Sequence, residues 1–271
     1  MIARFVCVPI LTGLISSTAT AAPVGPLKAT EPWRLDYAAT QCTAAREYGE
    51  SADPIGFAIR PAPNGSSYEL LVGRKRKGPG FAEELEGSVD FGTGPIKAWV
   101  LHYGAKKSKV AVHQFRIDAS AMAQARNASA IALHMKGGPD LMFELNSMPA
   151  LLKGLDECTE NLRHYWNSDP AGASRIATFA KGDVRSVFSS TDYPWEALTR
   201  RQQGTVQFLL LIDEKGQVAA CHVLSASGVP ALDAMGCQVI QTRARFKPAL
   251  DSAGKPIRSS YVTPPVMWRM M

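Results

Sequence analysis

Five histidines, five cysteines and two acidic clusters are the side chains of this chain that could do chemistry. His102, His113, His134, His164 and His222 are scattered, and none falls in an H-E-x-x-H or other metal-ligating spacing. His113 and His134 lie within strand-like runs and read as strand residues rather than ligands. No G-x-S-x-G elbow presents a nucleophilic serine. Glu83-Glu84-Leu85-Glu86 and Asp156-Glu157 read as solvated faces, because adjacent residues on a helix diverge and cannot share acid–base work. Phe91-Gly92-Thr93-Gly94-Pro95 is glycine-rich but lacks the lysine and following helix of a phosphate loop, so it reads as a plain loop. The expectation is a protein without catalytic residues, metal or cofactor.

The first 21 residues have a basic start at Arg4, an apolar core from Phe5 to Ile15, and Ala19-Thr20-Ala21 before Ala22. This reads as a cleaved secretory signal peptide, its core too short to span a bilayer. Retention as an inner-membrane anchor is the rival reading. Cys7 has no lipobox-like setting. Cleavage leaves Cys42, Cys158, Cys221 and Cys237, an even number that suggests disulfides and permits three pairings. The pattern favours Cys42–Cys158 and Cys221–Cys237, one in each half; metal ligation is the alternative, without a C-x-x-C to support it.

A hydrophobic content of 46% with 20% charged residues is that of a folded protein. The net charge of +6 is too diffuse to argue for nucleic acid, and Arg74-Lys75-Arg76-Lys77 reads as a solvated loop. The predicted organisation is a leader over 1–21, a flexible lead-in over 22–32, a β-rich α+β domain over 33–166, a linker over 167–190 and a second domain over 191–271.

Alternation predicts strands at Trp33–Tyr37 and Ile55–Ile59, with an apolar run from Tyr68 to Val72; Asn64-Gly65 supplies the hairpin turn between the last two. Val110–Phe115 adds a strand, and Ile131–Met135 with Leu141–Leu145 a later hairpin. One helix is predicted after Ser147, with Pro149 in its first turn and Leu151, Leu155, Cys158 and Leu162 on one stripe. Cys158 therefore faces inward, where a bridge to Cys42 would staple helix to sheet.

The last part is the most patterned. Tyr193-Pro194 opens a short helix, and Val206–Ile212 is apolar on both faces, as a central strand covered on each side would be. Asp213-Glu214-Lys215-Gly216 turns it into a strand from Val218 to Ser225. A helix from Pro230 carries Leu232, Met235, Gly236, Val239 and Ile240 on one stripe, with Cys237 beside it. Arg245-Phe246-Lys247-Pro248-Ala249 follows, and a closing strand runs from Ile257 to Trp268. With Gly204-Thr205-Val206, Ser227-Gly228, Leu232-Asp233, Gly254-Lys255-Pro256 and Pro265, this order resembles the C-terminal domain of TonB, over about 80 residues.

The predicted fold class is α+β: the strand and helix pattern gives an antiparallel β-rich domain with a C-terminal helix, and the resemblance implies a ββαβ module after it. The resemblance also implies a periplasmic, non-enzymatic protein whose exposed edge strand captures an outer-membrane transporter peptide by β-strand addition. The edge residues are then Ser259, Ser260, Tyr261, Val262 and Thr263, or else the other sheet edge serves; Arg243, Arg245 and Lys247, basic at alternate positions, read first as scaffold around a core Phe246 and second as contacts to an anionic partner. The alternative is a structural or sensing envelope protein that binds peptidoglycan or forms a homodimer. The chain departs from a TonB proper in three ways. Its leader looks cleavable, a globular domain replaces the Pro-rich spacer, and Pro264 adds a second proline beside Pro265. Two adjacent prolines remove N–H donors from the candidate edge.

Overall fold

The computed structural model describes residues 25–76, 78, 83–105 and 109–270. The leader predicted over 1–21 lies outside the described residues.

Nine strands form one antiparallel sheet: β1 (Arg34–Tyr37), β2 (Cys42–Tyr48), β3 (Ile55–Pro61), β4 (Ser67–Arg74), β5 (Glu83–Asp90), β6 (Ile96–Gly104), β7 (Ala111–Asp118), β8 (Ala130–Met135) and β9 (Leu141–Glu144). Their spatial order is β1-β2-β3-β4-β7-β6-β5-β8-β9. Residues 27–30 join the two ends: Leu27 N–H donates to the Met142 carbonyl at 2.7 Å, and Thr30 N–H to that of Glu47 at 3.0 Å. The sheet thus closes on itself through a segment whose composition predicted a flexible lead-in. Main-chain bonding, which Ala, Pro and Lys side chains do not announce, is what orders it.

The short helix α1 (Ala119–Met122) continues into a 3₁₀ turn over Ala123–Asn127, and α2 (Met148–Tyr165) packs on β1, β2 and that turn. The apolar stripe of α2 is buried as its spacing requires: Leu151, Leu155, Cys158 and Leu162 all face the core. Cys158 is bonded to Cys42 on β2.

The second unit is built on β10 (Gly204–Ile212), with β11 (Val218–Ser225) on one side and β14 (Ser259–Val262) and β15 (Val266–Trp268) on the other. The short helices α3 (Gly172–Arg175) and α4 (Trp195–Thr199) precede β10 in the chain, and α5 (Pro230–Arg243), β12 (Ala249–Leu250) and β13 (Pro256–Ile257) lie between β11 and β14. The single closing strand predicted over 257–268 is three pieces, interrupted at Pro264-Pro265 where two N–H donors are missing. Val206, Phe208, Leu210 and Ile212 face α5 and its core. Leu211 belongs instead to the core of the first unit, together with Ala220 across the β10–β11 pair. Both faces of β10 are therefore covered, as its sequence predicts, the second of them by the nine-stranded sheet. Cys221 and Cys237 are bonded, tying β11 to α5.

Gly216 shows how closely the β10–β11 turn is held. It sits at φ +74°, and a Cβ there would stand 1.9 Å from the Phe246 carbonyl oxygen, so glycine is required on both counts. Asp213 completes the turn by accepting the N–H groups of Lys215 at 2.9 Å and Gln217 at 2.8 Å.

The stretch 167–190, read as a linker, is packed rather than free. Ile176, Ala180 and Val184 are buried in the core of the second unit. Thr178 and Lys181 bridge the backbone of Leu250 and Lys247.

Candidate functional site

Strand β10 carries hydrogen bonds in an alternating pattern that fixes which main-chain groups of its neighbours are free. Thr263 N–H donates to the Phe208 carbonyl at 2.9 Å, and Phe208 N–H donates back to Thr263 Oγ1 at 3.0 Å. In an antiparallel ladder the bonded pairs alternate, so Ser259, Tyr261 and Thr263 turn their main-chain groups toward β10. Ser260 and Val262 turn theirs outward. The same alternation along Gly204↔Trp268, Thr205↔Met267 and Val206↔Val266 leaves the groups of Met267 outward on β15. Among the described residues none of these outward groups has a main-chain partner.

The five residues expected at the edge therefore split by function. Ser259 and Thr263 are buried side chains, and Thr263 also accepts from Gln207 Nε2 at 2.9 Å, so both are committed internally. Tyr261 packs on Phe246 with ring centroids 4.9 Å apart. Ser260 and Val262 face out, and Val262 is 49% exposed.

Beside β15 an open groove of about 580 Å³ is lined by Phe188, Tyr193, Leu198, Met267 and Trp268. Phe188 and Tyr193 each meet Trp268 edge-on at 5.5 Å, which shapes the groove's floor, while Met267 remains 59% exposed. The sequence reading missed this groove, because Phe188 and Tyr193 come from the segment it took for a linker and a helix start.

Of the three expected basic contacts, Arg243 is already used. Its guanidinium makes two 2.7 Å bonds to Asp192 and one of 3.1 Å to the Val187 carbonyl. That pairing, chiefly the hydrogen bonds from Arg243, holds the Asp192 carboxyl below its usual range. Arg245 and Lys247 are exposed, with Phe246 buried between them. On the opposite sheet margin Arg116 of β7 donates to the Val223 carbonyl of β11.

Residues 189–270 match the family model described as Gram-negative bacterial TonB protein C-terminal. The second unit is a TonB C-terminal domain. No curated protein and no solved structure matches the chain. The match covers under a third of the 271 residues and does not extend to the nine-stranded unit. Among the described residues no helix is long and apolar enough to cross a membrane.

The TonB C-terminal domain is held against the nine-stranded sheet by polar contacts as well as by Leu211 and Ala220. Helix α5 has no side-chain cap of its own; Glu84 on β5 supplies one, accepting Ala231 N–H at 3.0 Å and Gln202 Nε2 at 3.4 Å. Burial nonetheless raises the Glu84 carboxyl above its ordinary range. His222 on β11 lies in the same junction, where burial first, then the charges of Arg60 and Arg116, lower it to about 4. His113, buried in the nine-stranded sheet, is likewise lowered to about 4 by burial, then by His102, Arg76 and Arg74.

Both imidazoles are neutral in the fold and ordinary when unfolded. Above pH 6.5 they contribute nothing to the pH dependence. Between pH 6.5 and about 4 the unfolded chain takes up their protons and the fold does not, so each costs up to about 3 kcal/mol of stability. Glu84 and Asp233, both raised, act in the opposite sense over their own range. The His contribution is isolated by urea unfolding of the parent and His113→Gln at pH 7.5 and 4.5. The variant should lose markedly less between the two pH values; an equal loss contradicts the assignment.

Proposed function

We propose that this is a non-enzymatic periplasmic protein whose TonB C-terminal domain holds an extended peptide of an outer-membrane transporter by strand addition along β14–β15. The observation that carries the reading is the pairing of outward main-chain groups at Ser260, Val262 and Met267 with the adjoining apolar groove. Main-chain bonds from the edge supply affinity, and Phe188, Tyr193, Leu198 and Met267 supply a surface for apolar side chains. The prolines between β14 and β15 divide the edge into two short pairing stretches. Such an edge resists pairing with arbitrary strands while accepting a peptide that follows its break.

The test is the affinity of the full protein for peptides drawn from periplasm-facing segments of outer-membrane transporters, read by fluorescence anisotropy. Val262→Pro removes an outward N–H that β10 does not use, so the fold keeps its ladder. At least tenfold weaker binding is expected, about 1.4 kcal/mol or more. Peptide binding that survives Val262→Pro unchanged overturns the proposed edge. Capture by isolated peptidoglycan with no peptide binding points instead to a wall-binding structural role, for which the exposed Arg245 and Lys247 offer charge.

A further inference from the structure

The junction between the two units holds a half-open cavity of about 210 Å³, lined from β11 and α5 rather than from the β14–β15 edge. One wall is the outer face of the nine-stranded sheet, with Glu69, Gln114 and Arg116; the other is β11 and the first turn of α5, with His222 and Asp233. Trp99, 40% exposed, stands at its rim.

Of these polar groups only Gln114 and Glu69 bond to each other; Arg116, His222 and Asp233 line the same space without pairing among themselves. Among the described residues Arg116 makes one hydrogen bond, to the Val223 carbonyl, and no ion pair with either carboxylate, although both Glu69 and Asp233 act on its charge. Asp233 is buried and accepts Ser227 N–H at 2.9 Å. Glu69 accepts Gln114 Nε2 at 2.9 Å and Arg60 Nη1 at 3.3 Å. His222 Nε2 is shut off from solvent with no partner. Opposite charges taken out of water are stable when paired, and here a cation and an anion share a cavity without touching. What completes the arrangement is a small molecule presenting an anionic group to Arg116 and an ammonium to Asp233.

We propose that the cavity is a binding site for a zwitterionic ligand of amino-acid size, held between the nine-stranded unit and the TonB C-terminal domain. Its volume lies below the range of drug-sized pockets, which limits the ligand to that size. Because both units contribute charges, occupancy would also tighten their docking.

The probes are free α-amino acids with small side chains, alongside the amines and carboxylic acids that lack one of the two charges. Binding to the full-length protein is read by calorimetry and by Trp99 fluorescence. An amino acid is expected to bind, with at least tenfold weaker binding for either single-charge analogue. Asp233→Asn, nearly isosteric, should lower affinity at least tenfold while the thermal midpoint of the empty protein stays within a few degrees. Should that variant unfold, Leu101 of β6, which also lines the cavity, gives the second test: Leu101→Trp fills the space from the nine-stranded sheet and is expected to abolish binding. No binding by any probe at 10 mM, or equal binding by charged and singly charged analogues, means that the cavity holds only water and overturns the proposal. Peptide capture by Val262→Pro is measured separately, so either reading fails without the other.

Discussion

Replacing Cys42 and Cys158 together by alanine is expected to destabilise the protein by about 4–5 kcal/mol, the larger of its two cystine effects. The bridge closes a separation of 116 residues, against 16 for Cys221–Cys237. Loop-closure entropy grows only with the logarithm of length, so the shorter bridge should still be worth about 3 kcal/mol. The longer one does more than restrain the unfolded chain. It fixes α2 on β2, and α2 covers the sheet where β1 is only four residues long. Guanidinium unfolding of the two alanine pairs at pH 7.5 measures both. If the pair at Cys221–Cys237 proves the costlier, the entropic account of these cross-links fails here.

Those two bridges were legible in the sequence because a helical stripe put Cys158 inward and because Cys237 falls beside the apolar face of α5. The hairpins at Asn64-Gly65 and Asp213–Gly216 were legible for the same kind of reason, local turn chemistry. What the sequence hid was non-local. Glu83-Glu84-Leu85-Glu86 read as a solvated acidic cluster, yet it is strand β5. Its residues are mostly half-buried rather than alternating, because Glu84 turns outward to cap a helix 147 residues away. Residues 27–30 join β9 to β2 by main-chain bonds alone, which leave no trace in side-chain type. Strand β2 escaped notice because an arginine stands where the inward pattern of Cys42, Ala44 and Tyr48 wants an apolar residue. At the candidate edge, the position of the last strand could be read, but not which of its groups point outward. That parity is set by a bulge and by Thr263 bonding to Phe208 with its side chain.

The docking of the two units changes what a TonB C-terminal domain can offer here. One sheet face lies under α5, and on the other Leu211 and Ala220 join the core of the nine-stranded sheet, which leaves Val262 and Met267 exposed toward the margin. On the β11 margin the Val223 carbonyl is taken by Arg116 of the nine-stranded sheet. Instead of a mobile module at the end of a spacer, the edge is presented from a fixed base.

Arg46 marks the seam at which the nine-stranded sheet closes, and Arg46→Ala is expected to cost about 3–5 kcal/mol. The side chain is only 2% exposed. Its Nε donates to Tyr48 Oη at 2.7 Å, Nη1 to Asn146 Oδ1 at 2.7 Å and Nη2 to the Glu144 carbonyl at 2.6 Å. The guanidinium plane lies 4.4 Å from the ring centre of Trp33 and 4.7 Å from that of Tyr48. Among the described residues no carboxylate pairs with it; carbonyl and amide oxygens and two aromatic faces carry the charge instead. The fork thus bonds β2 to the end of β9 across about a hundred residues of sequence, beside the segment that joins the two strands. Truncation removes three charge-assisted bonds; the half-buried Glu144 carbonyl keeps only the Tyr48 Oη donor at 2.8 Å, and the buried Tyr48 hydroxyl loses its Arg46 partner. Arg46→Lys separates charge from geometry. A compact ammonium cannot reach three acceptors spread around a planar fork, so most of the loss should persist. Denaturant midpoints of both variants decide the matter. A loss below about 1 kcal/mol in Arg46→Ala would mean that the aromatic contacts around Phe57 and Phe143 close the seam without it.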